Sequence, residues 1–144
     1  MLCATVDVVA HSMGGLVARA CVRAGGATSG IGRLITLGTP HQGSLAFAWL
    51  GLDPMLGQMR PGSPFLDRLC GDDRVPAVAE CISIYSADDA LVLPPAAAYW
   101  PGAFNIEVRG IGHMSLLFAR RVYDLVRENL AAAPASASEC SRWS

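Results

Sequence analysis

Ser12 is the residue in this chain best placed to do chemistry. It stands in Ala10-His11-Ser12-Met13-Gly14, a match to the pattern small-x-Ser-x-Gly. A serine hydroxyl at the apex of a sharp strand-to-helix turn is exposed to a substrate. The following helix points its first backbone N–H groups at any negative charge that develops there. The turn forces the serine into a strained backbone conformation and crowds the residues two before and two after it, here Ala10 and Gly14. The Met13 N–H is then the expected oxyanion donor. The competing reading is an ordinary strand–helix turn in which Ser12 merely caps the helix.

A serine nucleophile needs a base, and the base needs an acid to orient it. The chain offers three histidines. His11 adjoins the serine on the strand side, so its ring is expected to point away from Ser12. His41 follows the second apolar run, and His113 follows the fourth in the glycine-flanked Gly110-Ile111-Gly112-His113. In doubly wound sheets, sites gather at the carboxyl ends of strands, and the order Ser, Asp, His suits such a sheet. The acid then falls after the third run, where Asp88 and Asp89 both stand. Asp89 is favoured because it opens Asp-Ala-Leu-Val-Leu-Pro, whose apolar residues can anchor the loop beneath a carboxylate. The competing readings are two solvated loop acids and a satisfied loop histidine.

These residues need a scaffold, and the sequence describes one. Residues 3–10 are a short β-branched run, followed by LVARACVRAG with helical spacing. In that helix Leu16, Val17, Ala20, Cys21 and Ala24 are expected on the inner face, and Arg19 and Arg23 on the outer one. Residues 33–38, 79–86 and 103–109 read as further strands. Residues 45–75 read as irregular, and residues 114–130 as a helix with an apolar stripe of Phe118, Val122, Leu125, Val126 and Leu130. Strands that alternate with helices and read as continuous apolar runs predict an α/β fold, with a mostly parallel sheet of about four strands and flanking helices. Residues 131–144, AAPASASECSRWS after Ala131, read as a low-complexity, disordered tail.

Composition narrows the function. The 144 residues are 52% hydrophobic and 16% charged, with a formal net charge of −1, all of it on a core-rich chain with arginine but no lysine. Nothing in it attracts a polyanion, so nucleic acid is not an expected partner. No metal site is indicated, because the five cysteines at 3, 21, 70, 81 and 140 form no CxxC or Cys/His cluster. Cys3, Cys21 and Cys81 read as small buried residues, and a Cys70–Cys81 bridge is an open alternative. There is no signal-peptide pattern and no uninterrupted apolar run long enough to span a membrane, which leaves the compartment open.

Taken together, VDVVAHSMGGLVAR, LITLGTPHQGS, IYSADDALVLP and VRGIGHMSLL resemble the bacterial lipase/esterase family of the α/β-hydrolase superfamily. The resemblance covers about residues 3–130. It implies a partial α/β-hydrolase fold with Ser12 as nucleophile, Asp89 as acid, His113 as base and the Met13 N–H in the oxyanion hole. His41 matches a recurrent family segment and reads as structural. Ala10 replaces the commoner glycine. In the family, several strands and a second oxyanion donor precede the nucleophile strand. Residues 1–130 are therefore expected to be the C-terminal part of the domain.

The implied activity is carboxylic ester hydrolysis through an acyl-enzyme, on a lipid or small ester, with no cofactor. Leu45 to Met59, including Phe47, Trp49, Leu50, Met55 and Leu56, and Leu91 to Trp100 are candidate linings for an acyl chain. The alternative for Phe47 and Trp49 is simple packing of a crossover helix. Alternatives for the function are a thioesterase or acyltransferase on the same triad, or an inactive remnant that binds lipid or a partner chain. Self-association through an unpaired sheet edge at residues 3–10 is a further expectation.

Overall fold

The computed structural model describes residues 5–49, 54–71 and 80–132. Cys3, Leu50, Cys140 and the 133–144 part of the expected tail lie outside the described residues, as does the Trp49 side chain.

Four strands form one wholly parallel sheet in the order β1-β2-β3-β4. They are β1 Val6–His11, β2 Ile31–Leu37, β3 Glu80–Ser86 and β4 Phe104–Val108. Each falls within two residues of its expected bounds, apart from the later start of β1. A parallel sheet needs crossovers, and here they carry helices α1 Met13–Gly25, α2 Ala46–Trp49, α3 Pro54–Gly57, α4 Pro64–Cys70 and, after β4, α5 Arg120–Ala131. The described residues among 45–75 are therefore more regular than their glycines and prolines suggest. Ser63 caps α4 by accepting from the Leu66 N–H, with Pro64 as its first helical residue.

The two faces of the sheet follow from the period of two along each strand. Leu34 and Cys81 face one way and pack with Val22 of α1 and with Trp100. Ile35, Leu37, Ile82 and Ile84 face the other and pack with Val108, Leu116 and Val122, against which Leu125 and Val126 of α5 also lie. Leu16, Phe47, Met59, Leu66 and Leu69 form a further cluster that seats α4 against α1. Each such buried aliphatic side chain contributes about 1.5–3 kcal/mol. Arg33 ties down the amino-terminal end of the sheet. Buried itself, it bridges Asp7 at 3.4 Å and Glu80 at 2.8 Å, and donates to the carbonyls of Leu130 and Ala132 at 3.0 Å each. A cation at those last carbonyls also complements the α5 dipole.

Three local expectations are corrected. In α1 the buried residues are Gly15, Leu16, Arg19 and Val22, while Val17 and Cys21 are exposed. Residues 114–130 are two elements, a 3-10 turn at Met114–Leu117 and then α5, and Phe118 between them is 82% exposed rather than part of the stripe. No disulfide joins Cys70 and Cys81. Cys81 points into the α1-side core, and Cys70 donates to the His41 carbonyl at 3.3 Å. No helix among the described residues is long and apolar enough to cross a membrane. β1 lies at the end of the strand order, with Val6 58% and Val9 45% exposed.

Candidate active site

Because all four strands run the same way, the residues following each lie at one end of the sheet. Ser12 follows β1 directly, Gly38 and Thr39 follow β2, Asp89 comes three residues after β3 and His113 five after β4.

Ser12 has φ 54° and ψ −127°, and it is the one non-glycine residue with positive φ among those described. Its side chain makes no capping hydrogen bond to α1, so the helix-cap reading fails. The backbone holds the strain from both sides. The Ser12 N–H donates to the Leu37 carbonyl at 2.9 Å, and the Ser12 carbonyl accepts from the Thr39 hydroxyl at 2.9 Å and from the Gly15 N–H at 3.1 Å. A conformation this costly, on the order of 1–3 kcal/mol, persists only where its surroundings over-determine it.

Asp89 and His113 meet directly. Asp89 Oδ2 lies 2.7 Å from His113 Nδ1, and both side chains are buried. The other carboxylate oxygen accepts the N–H groups of Leu91 and Val92 at 2.8 and 3.0 Å. Val92 is fully buried and anchors the loop, as the Leu-Val-Leu run suggested, whereas Leu91 and Leu93 are partly exposed. Burial pushes the Asp89 carboxyl up, but the bond from His113 and the two backbone N–H groups outweigh it and hold it below its usual range. Asp88 does something else: its Oδ2 accepts the Gly110 N–H at 2.6 Å, at the start of the loop that carries His113.

Gly38 lies beneath this pair. It has φ 54°, and a Cβ there would sit 2.7 Å from Leu116 Cδ1, 3.1 Å from Asp89 Oδ2 and 3.3 Å from His113 Nδ1. Only glycine suits that backbone and that space.

His41 is wholly buried, as expected of a structural residue. Its ring stacks on Trp100 with centroids 4.4 Å apart, and its Nε2 lies 3.0 Å from Thr36 Oγ1. The Thr36 hydroxyl already donates to the Ile82 carbonyl, so His41 carries its proton on Nε2. Arg19 then approaches the bare Nδ1 at 3.5 Å and donates to the carbonyls of His41 and Leu69. Its guanidinium lies 5.0 Å from the Trp100 ring centre. Burial first, and then Arg19, hold His41 well below its ordinary pKa.

His11 departs most from expectation. Its ring lies against that of His113, with centroids 4.6 Å apart and planes tilted by 47°, and its Nε2 donates to the His113 carbonyl at 3.1 Å. No local signal announces this, because the partner is 102 residues away.

Of the proposed acyl linings, Phe47, Met59 and Trp100 belong to the core. Leu45, Leu91 and Leu93 are partly exposed and adjacent, joined by the Leu45 N–H to the Leu93 carbonyl at 2.8 Å.

The sheet, its crossovers and the strand-to-helix turn at Ser12 define an α/β-hydrolase fold, the class that the sequence motifs implied. Comparison with known proteins agrees. Residues 2–53 match the family described as PGAP1-like alpha/beta domain. Among solved structures, the chain is similar to Aspergillus fumigatus lipase B at 20% identity and TM-score 0.78, over 94% of this chain and 39% of that one. It is also similar to the product of gene lin2722 of Listeria innocua at 16% identity and TM-score 0.62, over 92% of this chain and 60% of that one. The chain thus spans about two fifths and three fifths of these two relatives, and at these identities the likeness is one of fold.

Proposed function

We propose that this chain carries the catalytic half of a serine hydrolase acting on carboxylic esters, with Ser12 as nucleophile, His113 as base, Asp89 as the acid and the Met13 N–H as an oxyanion donor. The observation that carries the proposal is the buried 2.7 Å Asp89–His113 contact at the same sheet end as the strained Ser12. His113 takes the Ser12 proton as Oγ attacks the ester carbonyl, and Asp89 steadies the imidazolium that forms. The tetrahedral oxyanion is held at the start of α1, and collapse expels the alcohol with the proton from His113. Water activated by the same histidine then releases the acid. The partly exposed Leu45, Leu91 and Leu93 suit the acyl part of an ester.

The test is a fluorophosphonate label followed by peptide mapping, beside turnover of a p-nitrophenyl ester series and the matching thioesters. Label on Ser12 with faster turnover of oxygen esters is expected. Absence of label refutes the hydrolase reading, and faster thioester turnover reassigns the substrate.

A second reading has its own observation. The place of β1 at the end of the strand order, with Val6 and Val9 exposed, suits pairing with another chain, including a second copy of this one.

A further inference from the structure

We propose that His11 is a positioning residue with a second duty as a proton sensor for His113, so that ester cleavage requires two neutral imidazoles rather than one. The proposal rests on the hydrolase reading above for its kinetic consequence, but the geometry stands apart from it.

His11 Nε2 lies 3.1 Å from the His113 carbonyl oxygen. A carbonyl only accepts, so His11 must carry a proton on Nε2, and neutral His11 leaves Nδ1 bare. That bond holds the backbone of His113 from the β1 side. Asp89 holds the ring on Nδ1, and Asp88 holds the loop at Gly110. Three contacts from two other strand ends thus fix one catalytic ring. The His11 anchor comes from the residue next to the nucleophile, so it couples the positions of Ser12 and His113 directly.

The second duty follows from the 4.6 Å between ring centres. When His113 takes the Ser12 proton it becomes a cation. A protonated His11 at that distance opposes this step, whereas neutral His11 does not. The ionisable groups acting on His11 are His113 and Asp89. Asp89 is already bonded to His113. Burial is the largest influence and favours neutral His11, against the pull of the hydrogen bond to the His113 carbonyl and of Asp89; repulsion from His113 adds to burial only once that ring is protonated. Two like charges this close in a half-buried site slow the reaction about a hundredfold. The acid limb of the rate therefore steepens from one proton toward two.

The test separates the two duties. The pH dependence of fluorophosphonate labelling at Ser12 is measured for the wild type, His11→Gln and His11→Phe. His11→Gln keeps an N–H donor but cannot titrate, and is expected to retain the plateau rate within about threefold with a one-proton acid limb. His11→Phe keeps the ring but loses the donor, and is expected to show the same one-proton limb with a plateau lowered about tenfold or more. A two-proton limb surviving in either variant, or a full plateau in His11→Phe, overturns the proposal.

Long-range ¹⁵N–¹H spectra of the wild-type imidazoles read the geometry without activity or mutation. The Nε2–H tautomer of His11 is expected above its titration, and an Nδ1–H tautomer refutes the anchor. If the wild type takes no label, the hydrolase reading falls, and the tautomer decides the His11 anchor on its own.

Discussion

The Thr39 side chain fills the space that a side chain at Gly15 would need: a Cβ on Gly15 would collide with Thr39 Oγ1 and come within 2.8 Å of its Cγ2. The same hydroxyl donates to the Ser12 carbonyl. The turn at Ser12 is therefore locked by close approach of α1 to the end of β2. Gly14, the glycine of the motif, has open space where its Cβ would go. Gly15→Ala is expected to destabilise by about 1–3 kcal/mol through overpacking, and Gly14→Ala to leave the folded state unharmed. Chemical denaturation of the two variants checks this, and equal losses would refute it.

Ser12→Gly should separate catalysis from stability. Glycine accepts the positive φ that serine tolerates badly, so thermal stability rises by about 1 kcal/mol or more. Esterase activity and fluorophosphonate labelling fall to background. A lower melting temperature in the variant would count against strain at this position.

Asp89 and Asp88 should differ sharply. Asp89→Asn is expected to lower kcat about 10⁴-fold, as in triad enzymes generally. Asp88→Asn keeps an oxygen that can accept the Gly110 N–H and should cost less than about tenfold. Steady-state kinetics on one soluble ester decide between them, and the reverse ranking would transfer the acid role to Asp88.

Acid should weaken the fold in two steps. His41 and His11 both have lowered pKa values, so the folded chain keeps them neutral while the unfolded chain binds protons below about 6.5. Their contribution is complete above that pH and declines as pH falls. Asp89, also lowered, adds a second loss once pH falls below the ordinary aspartate value of about 3.9. In His41→Phe the first decline should be smaller, because one of its two sources is gone, although the variant starts less stable after losing its bonds to Thr36 and Arg19. Urea midpoints between pH 5 and 8 measure this. An unchanged slope in the variant would contradict the assignment.

Much of the fold was legible because parallel strands buried on both faces are largely apolar, and β2 and β3 bury Leu34, Ile35, Leu37, Cys81, Ile82 and Ile84. Ser12, Asp89 and His113 were legible as candidates because their chemistry constrains order as well as type. The failures at Arg19 and His11 share one cause, partners distant in the sequence. Arg19 was assigned to the outer face of α1 because a charged residue in a helix is usually solvated. Its burial depends on Trp100 and on the carbonyls of His41 and Leu69, 22 to 81 residues away in the sequence. His11 reads as pointing away from Ser12 because it adjoins the serine on the strand side, a local reading that carries no information about a loop 102 residues further on. Phe118 matched the helical period, but the turn at Met114–Leu117 resets that period before α5 begins.

The outer side of β1, with Val6 and Val9 exposed, has a thermodynamic consequence. Any chain that adds a strand there binds the folded form and not the unfolded one, so the folding equilibrium becomes linked to mass action. If the added strand comes from another copy, the melting temperature of residues 1–144 should climb with protein concentration, and Val9→Lys should flatten that dependence by repelling an incoming edge. The stability of this sheet would then be a property of the solution as much as of the sequence.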